Sequence, residues 1–257
     1  MSYQWTIAGV SDTGKKRKNN EDSIGWITSQ DDQYLCAVVA DGMGGHAAGE
    51  VASSIARTLF IDFFDTFLQH TLKETEDEDF IGNALLECIE RIHQSILERG
   101  ARNPAEQGMG TTLTGIIARQ QTLWVINIGD SRCYTINNKN IQQLTKDHSV
   151  LQEWLDKQQS EEGLDARYRN VLTQALGAKK TIKPDLIKLE LQPNTTLLLC
   201  SDGLTACLDD VQIERTIGKA NELSEQTQLL LDESLAAGAP DNVSLILAEW
   251  VDSSTES

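Results

Sequence analysis

No apolar run in the 257-residue chain approaches the roughly 20 residues that a membrane-spanning helix needs. Positive charge is scarce: 22 Lys and Arg face 39 Asp and Glu, a formal net charge of −17. A body this acidic repels phosphate backbones and anionic lipid surfaces, which argues against general nucleic-acid binding and membrane adhesion. The opening MSYQWTIAGV has no basic stretch followed by a long apolar one, so no signal peptide is expected. The five cysteines (Cys36, Cys88, Cys133, Cys200, Cys207) form no Cys-x-x-Cys pair. Four lie in apolar surroundings and are expected as small core residues in a reducing, cytoplasmic compartment. Internal repeats, a Pro/Gly/Ser-rich linker and the Asp-x-Asp-x-Asp-Gly spacing of a calcium-sensing loop are also missing.

What is present is ordinary for a globular chain: 40% apolar and 24% charged residues. Strand-like runs rich in β-branched and aromatic residues cover Gln4–Val10, Ile24–Ser29 and Tyr34–Ala40. Helical spacing follows over Gly49–Leu68 (Val51, Ile55, Leu59, Phe63, Phe67) and Asp79–Arg99 (Leu85, Cys88, Ile89, Ile92, Ile96), with a charged loop at Lys73–Asp79. His70 and His93 read as helix-surface residues. Further strands are expected at Thr111–Ala118, Leu123–Ile128, Leu186–Leu191, Thr196–Cys200 and Val243–Val251, with a hairpin across Arg132–Leu144. Ser149–Gly177 reads as irregularly helical, and helices are expected near Val211–Lys219 and Ser224–Ala237. Strands come in runs, which favours a single α+β domain over residues 1–251 with antiparallel sheets and a polar tail at 252–257.

The carboxylates fall in a pattern. Two buried-type runs end in Asp-Gly, at Asp41-Gly42 and Asp202-Gly203, and Glu21-Asp22 and Asp241 stand just before two others. In each Asp-Gly pair the glycine allows a tight turn or a close backbone approach. Acidic residues at four strand ends can converge on one rim of a β-core, where mutual repulsion would raise their pKa values and a divalent cation would relieve it. An all-oxygen donor set suits Mg²⁺, Mn²⁺ or Ca²⁺ over Zn²⁺. Each Asp-Gly alone is equally a common turn. Against the acidic background stands Lys15-Lys16-Arg17-Lys18, either a solvated loop or a phosphate clamp, for which the planar fork of Arg is suited.

These residues resemble the type 2C family of metal-dependent protein Ser/Thr phosphatases, and the bacterial single-domain members in particular. The resemblance is carried in order by Arg17 with Asn19-Asn20-Glu21-Asp22, Ala40-Asp41-Gly42-Met43-Gly44-Gly45-His46, Met109-Gly110-Thr111-Thr112, Gly129-Asp130-Ser131-Arg132, Asp147-His148-Ser149, Ala175-Leu176-Gly177, Ser201-Asp202-Gly203 and Asp241-Asn242. It implies an α/β/β/α sandwich of two facing antiparallel sheets flanked by helix pairs. It implies phosphoserine and phosphothreonine hydrolysis by a hydroxide bridging two Mn²⁺ or Mg²⁺ ions, and a third, weaker ion. By motif position Asp41 bridges the two ions, Asp202 and Asp241 hold the first, and the Gly42 carbonyl serves the second. Glu21 and Asp22 bind the second ion directly or through its waters. Asp130 belongs to the third ion, and Arg17 binds phosphate. No Cys-x5-Arg motif offers a thiol route.

Many family members carry His where this chain has Met43, so His46 becomes the candidate proton donor, with a water on the third metal as the other candidate. His148 is read as structural, and 149–177 falls where relatives carry a flap beside the cleft. Expected partners are phosphorylated Ser/Thr proteins, substrates of a cognate kinase acting in trans, with the chain a monomer. The alternative is a pseudophosphatase that binds phosphopeptides without turnover, but every ligand position is filled.

Overall fold

A computed structural model of the chain describes residues 3–29, 34–44, 48–68, 78–137, 140–158, 160, 163–168, 170–192 and 194–252. Two antiparallel sheets face each other. The first runs β1 (Tyr3–Asp12), β11 (Val243–Asp252), β10 (Thr196–Cys200), β7 (Arg132–Asn137) and β8 (Asn140–Gln143). The second runs β2 (Asp22–Thr28), β3 (Tyr34–Met43), β5 (Leu113–Arg119), β6 (Thr122–Ile128) and β9 (Asp185–Glu190), with the short β4 (Gly110–Thr111) on the end of β3. Among the described residues six α-helices flank them: α1 (Ala48–Phe63), α2 (Glu78–Arg102), α3 (Val150–Gln158), α4 (Asp202–Thr205), α5 (Asp210–Ile217) and α6 (Leu223–Ala236). No helix among the described residues is long and apolar enough to cross a membrane.

Alternation along the strands explains the layers. On β3, Cys36, Val38 and Ala40 pack against α1 and α2, while Leu35, Ala37 and Val39 face the other sheet. On β10 and β11, Leu197, Leu199, Ile246 and Ala248 meet them there, and Leu198, Cys200, Leu245 and Leu247 pack towards α5 and α6. Strands covered on both faces read as continuous apolar runs, which is why LCAVVA and LLLC are so conspicuous. The sandwich is the α/β/β/α arrangement the motifs imply.

Two expectations are corrected, and one element was not foreseen. Among its described residues the stretch 149–177 is helical only over α3 and the turn Ala166–Tyr168, and isolated bridges join Ser149 to Leu172 and Thr111 to Leu176. Asp202 opens a short helix that strand patterning did not reveal. His93 is fully buried. It belongs to the inward stripe with Ile89 and Ile96, at the i+4 and i−3 positions, so the helical period places it inside. His70 and most of the 73–79 loop lie outside the described residues.

Candidate metal centre

One end of the sandwich carries a cleft of about 500 Å³ lined by Arg17, Glu21, Asp41, Gly42, Asp130, Asp202 and Asp241 together with Met43, Thr112 and part of 170–179. Register explains the convergence. Asp41, near the end of β3, lies directly opposite Asp22, the first residue of β2. Cys200 of β10 pairs with Leu245 of β11, so Asp202 and Asp241 leave neighbouring strands at the same end. A larger groove of about 900 Å³ lies between α1 and α2, lined by a mixture of apolar, acidic and basic side chains that includes Leu59, Phe63, Glu87 and Arg91.

The two Asp-Gly pairs serve a close approach rather than a turn. Neither Gly42 nor Gly203 adopts positive φ. A Cβ on Gly42 would lie 2.2 Å from the Gly49 carbonyl oxygen, and one on Gly203 would lie 1.8 Å from that of Asn242. The first glycine thus lets α1 start against Asp41, and the second lets α4 start against Asp241. Backbone bonds fix the rest. Thr112 Oγ1 accepts from the Asp41 amide at 2.9 Å, and Thr111 Oγ1 donates to the Asp41 carbonyl at 2.9 Å. Asn242 Oδ1 accepts from the Glu21 amide, while its Nδ2 donates to the carbonyls of Thr13 and Asn19, binding the Arg17 loop to Asp241. Thr111, Thr112 and Asn242 lie within quoted motifs, but their orienting role was invisible without the register.

Electrostatics follows from burying like charges together. Burial, then Asp22, Asp202, Asp130 and Asp241, push the Asp41 carboxyl well above the usual range. Burial and then Asp241 push Asp202 up, partly offset by Asp41 and Arg17. Asp130 rises to about 7, through burial and then Asp202. Asp22 rises to about 6, chiefly by burial, against hydrogen bonds from Ser244 and Ser201. Asp22 does not line the cleft: it is buried behind it, accepting from Ser201 Oγ at 2.8 Å. Arg17 Nη2 donates to Asp241 Oδ2 at 2.6 Å, and that bond raises the guanidinium pKa. Farther back, Arg132 forks onto Asp147, and the imidazole of His148 accepts from the Gly129 amide and meets Asp185, a structural role.

The donor set fits hard divalent cations. It is all oxygen, and Asp202 Oδ1, on a residue that lines the cleft, is buried with no hydrogen-bond partner, which a cation satisfies and an apolar wall does not. Among the described residues no three carboxylates, His or Cys close into a finished ligand cluster; Asp241 is engaged by Arg17 instead. His46 lies outside the described residues.

A family model described as Protein phosphatase 2C matches residues 13–251. The chain is 34% identical over 241 residues to the serine/threonine phosphatase stp of Listeria monocytogenes, covering 93% of each chain. A serine/threonine phosphatase structure from S. agalactiae superposes with a TM-score of 0.86 at 29% identity, covering 96% of this chain and 100% of that one. The catalytic domain of the serine/threonine protein phosphatase PstP, solved with two manganese ions, superposes with a TM-score of 0.80 at 32% identity, covering 97% and 100%.

Proposed function

The chain belongs to the protein phosphatase 2C family and is a metal-dependent protein serine/threonine phosphatase, and we propose that the cleft at the ends of β3, β10 and β11 is its active site. The observation that carries this is the convergence of Asp41, Asp130, Asp202 and Asp241 beside Arg17 in a single cleft of an otherwise anionic body. In this reading Asp41, Asp202 and Asp241 hold two divalent ions, Mn²⁺ or Mg²⁺, with the Gly42 carbonyl and Glu21 completing the second site. Asp22 acts from behind, through solvent of that site, since it does not reach the cleft. Asp130 with Asp202 makes a third, weaker site.

When bound, these ions supply Lewis acidity: they neutralise phosphoryl charge and lower the pKa of water towards neutrality. The chain's own residues do the rest. Thr111 and Thr112 hold the Asp41 backbone, so its carboxylate enters the cleft in one orientation. Arg17 presents its fork to phosphate oxygens once it leaves Asp241, and its charge complements the equatorial oxygens most in the transition state. Met43 lines the cleft and has no proton to give; in this reading His46 is the candidate donor of the leaving alkoxide's proton. Residues 1–251 serve as one catalytic domain. The protein acts as a cytoplasmic monomer on phosphoproteins made by a partner Ser/Thr kinase.

The test is hydrolysis of p-nitrophenyl phosphate and of a phosphoserine peptide with Mn²⁺ and with chelator. Asp41→Ala and Asp202→Ala should each lose at least ~10²-fold in kcat/KM, the scale of removing one key electrostatic stabiliser. Full activity of both variants would overturn the assignment.

A further inference from the structure

We infer that His93 is a positioning residue of the phosphatase cleft, holding the Gly177 amide so that the wall formed by 170–179 is fixed before a substrate chain arrives. This rests on the cleft being the active site. The Gly177 amide donates to His93 Nδ1 at 3.0 Å, a buried bond that joins residues 84 positions apart. An imidazole that accepts at Nδ1 carries its proton on Nε2, and Nε2 here is buried with no partner. An apolar residue would fill this stripe of α2 without leaving a bare nitrogen. The imidazole at this position is therefore explained by its acceptor and not by its volume.

Gly177 needs that acceptor. Its φ is +77°, and a Cβ would lie 2.3 Å from Ile96 Cγ2 and 2.8 Å from the Met109 carbonyl oxygen. The chain is wedged against α2 with its amide turned away from water. On its other side Leu176 exchanges both backbone bonds with Thr111, at 2.9 and 3.1 Å. Thr111 pairs in register with Gly42. A continuous row thus runs from α2 through His93, Gly177-Leu176 and Thr111 to the strand that carries Asp41. Val171, Leu172, Ala175, Ala178 and Lys179, on either side of Gly177, line the cleft. A wall fixed in advance spares a bound peptide the cost of ordering it. A substrate as small as p-nitrophenyl phosphate reaches the ions and Arg17 without using that wall.

The experiment compares wild type, His93→Phe and His93→Asn in the Mn²⁺-loaded enzyme. The Asn side-chain oxygen can replace Nδ1 as acceptor; Phe cannot. Losing one hydrogen bond of ordinary worth corresponds to about a tenfold change. His93→Phe should therefore exchange its Gly177 amide about tenfold faster and raise phosphopeptide KM by a similar factor. Its turnover of p-nitrophenyl phosphate and its Mn²⁺ affinity should match wild type. His93→Asn should restore both the exchange rate and the KM. Equal loss on both substrates, unchanged Gly177 exchange, or no rescue by Asn would overturn the inference. Should His93→Phe fail to fold, long-range ¹⁵N NMR of the wild type decides: an unprotonated Nδ1 upholds the inference and a protonated one refutes it. A wild type without phosphatase activity would defeat the active-site reading, while the exchange and tautomer results would still judge His93.

Discussion

Replacing Asp22 by Asn should stabilise the chelated protein at neutral pH and reduce the stability it gains from metal. Asp22 is 8% exposed, and its carboxyl rises from 3.8 to about 6, mainly through burial. At about 1.4 kcal/mol per pH unit, ionising it in the fold costs about 3 kcal/mol at pH 7. The sign follows from the order of ionisation. Below the unfolded value the carboxyl is neutral in both states and costs nothing. As pH rises from about 4 to about 6 the unfolded chain ionises first, so stability falls, and above that the full cost remains. Asp130, raised to about 7, extends the decline towards neutrality. Asn keeps the acceptor for Ser201 and removes the charge. Denaturant unfolding with excess chelator between pH 4 and 8 should show wild-type stability falling with pH. Asp22→Asn should be more stable than wild type by about 1–3 kcal/mol at pH 7.5 and no more stable at pH 4. Added Mn²⁺ should stabilise the wild type more than the variant. Wild-type stability that rises from pH 5 to 7.5 in chelator, or a variant less stable at pH 7.5, would refute the reasoning.

Gly203→Ala places a Cβ 1.8 Å from the Asn242 carbonyl oxygen; it should cost at least ~1–3 kcal/mol and weaken Mn²⁺ binding, read by thermal unfolding and calorimetry. Thr112→Val removes the acceptor of the Asp41 amide and the partner of Ser131 Oγ; a loss of about 1–3 kcal/mol is expected for a stranded buried donor, with reduced metal affinity. Arg17→Lys keeps charge but not the fork, so KM for phosphopeptide should rise with only a modest change in Mn²⁺ affinity. His46→Gln should slow a phosphoserine peptide by about 10²-fold, a typical share for acid catalysis, and spare p-nitrophenyl phosphate, whose leaving group needs no proton.

Sequence reading succeeded where a single physical signal dominates. β3 and β10 are sandwiched between layers, so their apolar runs are unbroken and end at the site, at Asp41 and just before Asp202. The stripe of α2 was as plain at Leu85, Cys88, Ile89, Ile92 and Ile96, whereas α1 buries Ala52, Ala56 and Phe60 and leaves Val51, Ile55, Leu59 and Phe63 only partly buried. It failed where structure depends on distant partners. The 170s are held by two isolated bridges and by His93, none of which leaves a local pattern. Asp22 looked equivalent to Glu21 because the sequence does not show that Glu21 stands before β2 and lines the cleft, while Asp22, the first residue of the strand, is buried against Ser201. Arg17 was read as a phosphate clamp, and its bond to Asp241 depends on Asn242 tying two segments over 220 residues apart. The candidate ligands were thus legible as a set, while their depth and orientation were not.

The central claim is tested most directly by anomalous diffraction at the manganese edge from crystals soaked in Mn²⁺. Peaks between the carboxylates of Asp41, Asp202 and Asp241 and beside the Gly42 carbonyl are predicted, and they should vanish in Asp202→Ala together with activity. Peaks elsewhere, or an empty cleft in protein that still turns over phosphopeptide, would contradict the account.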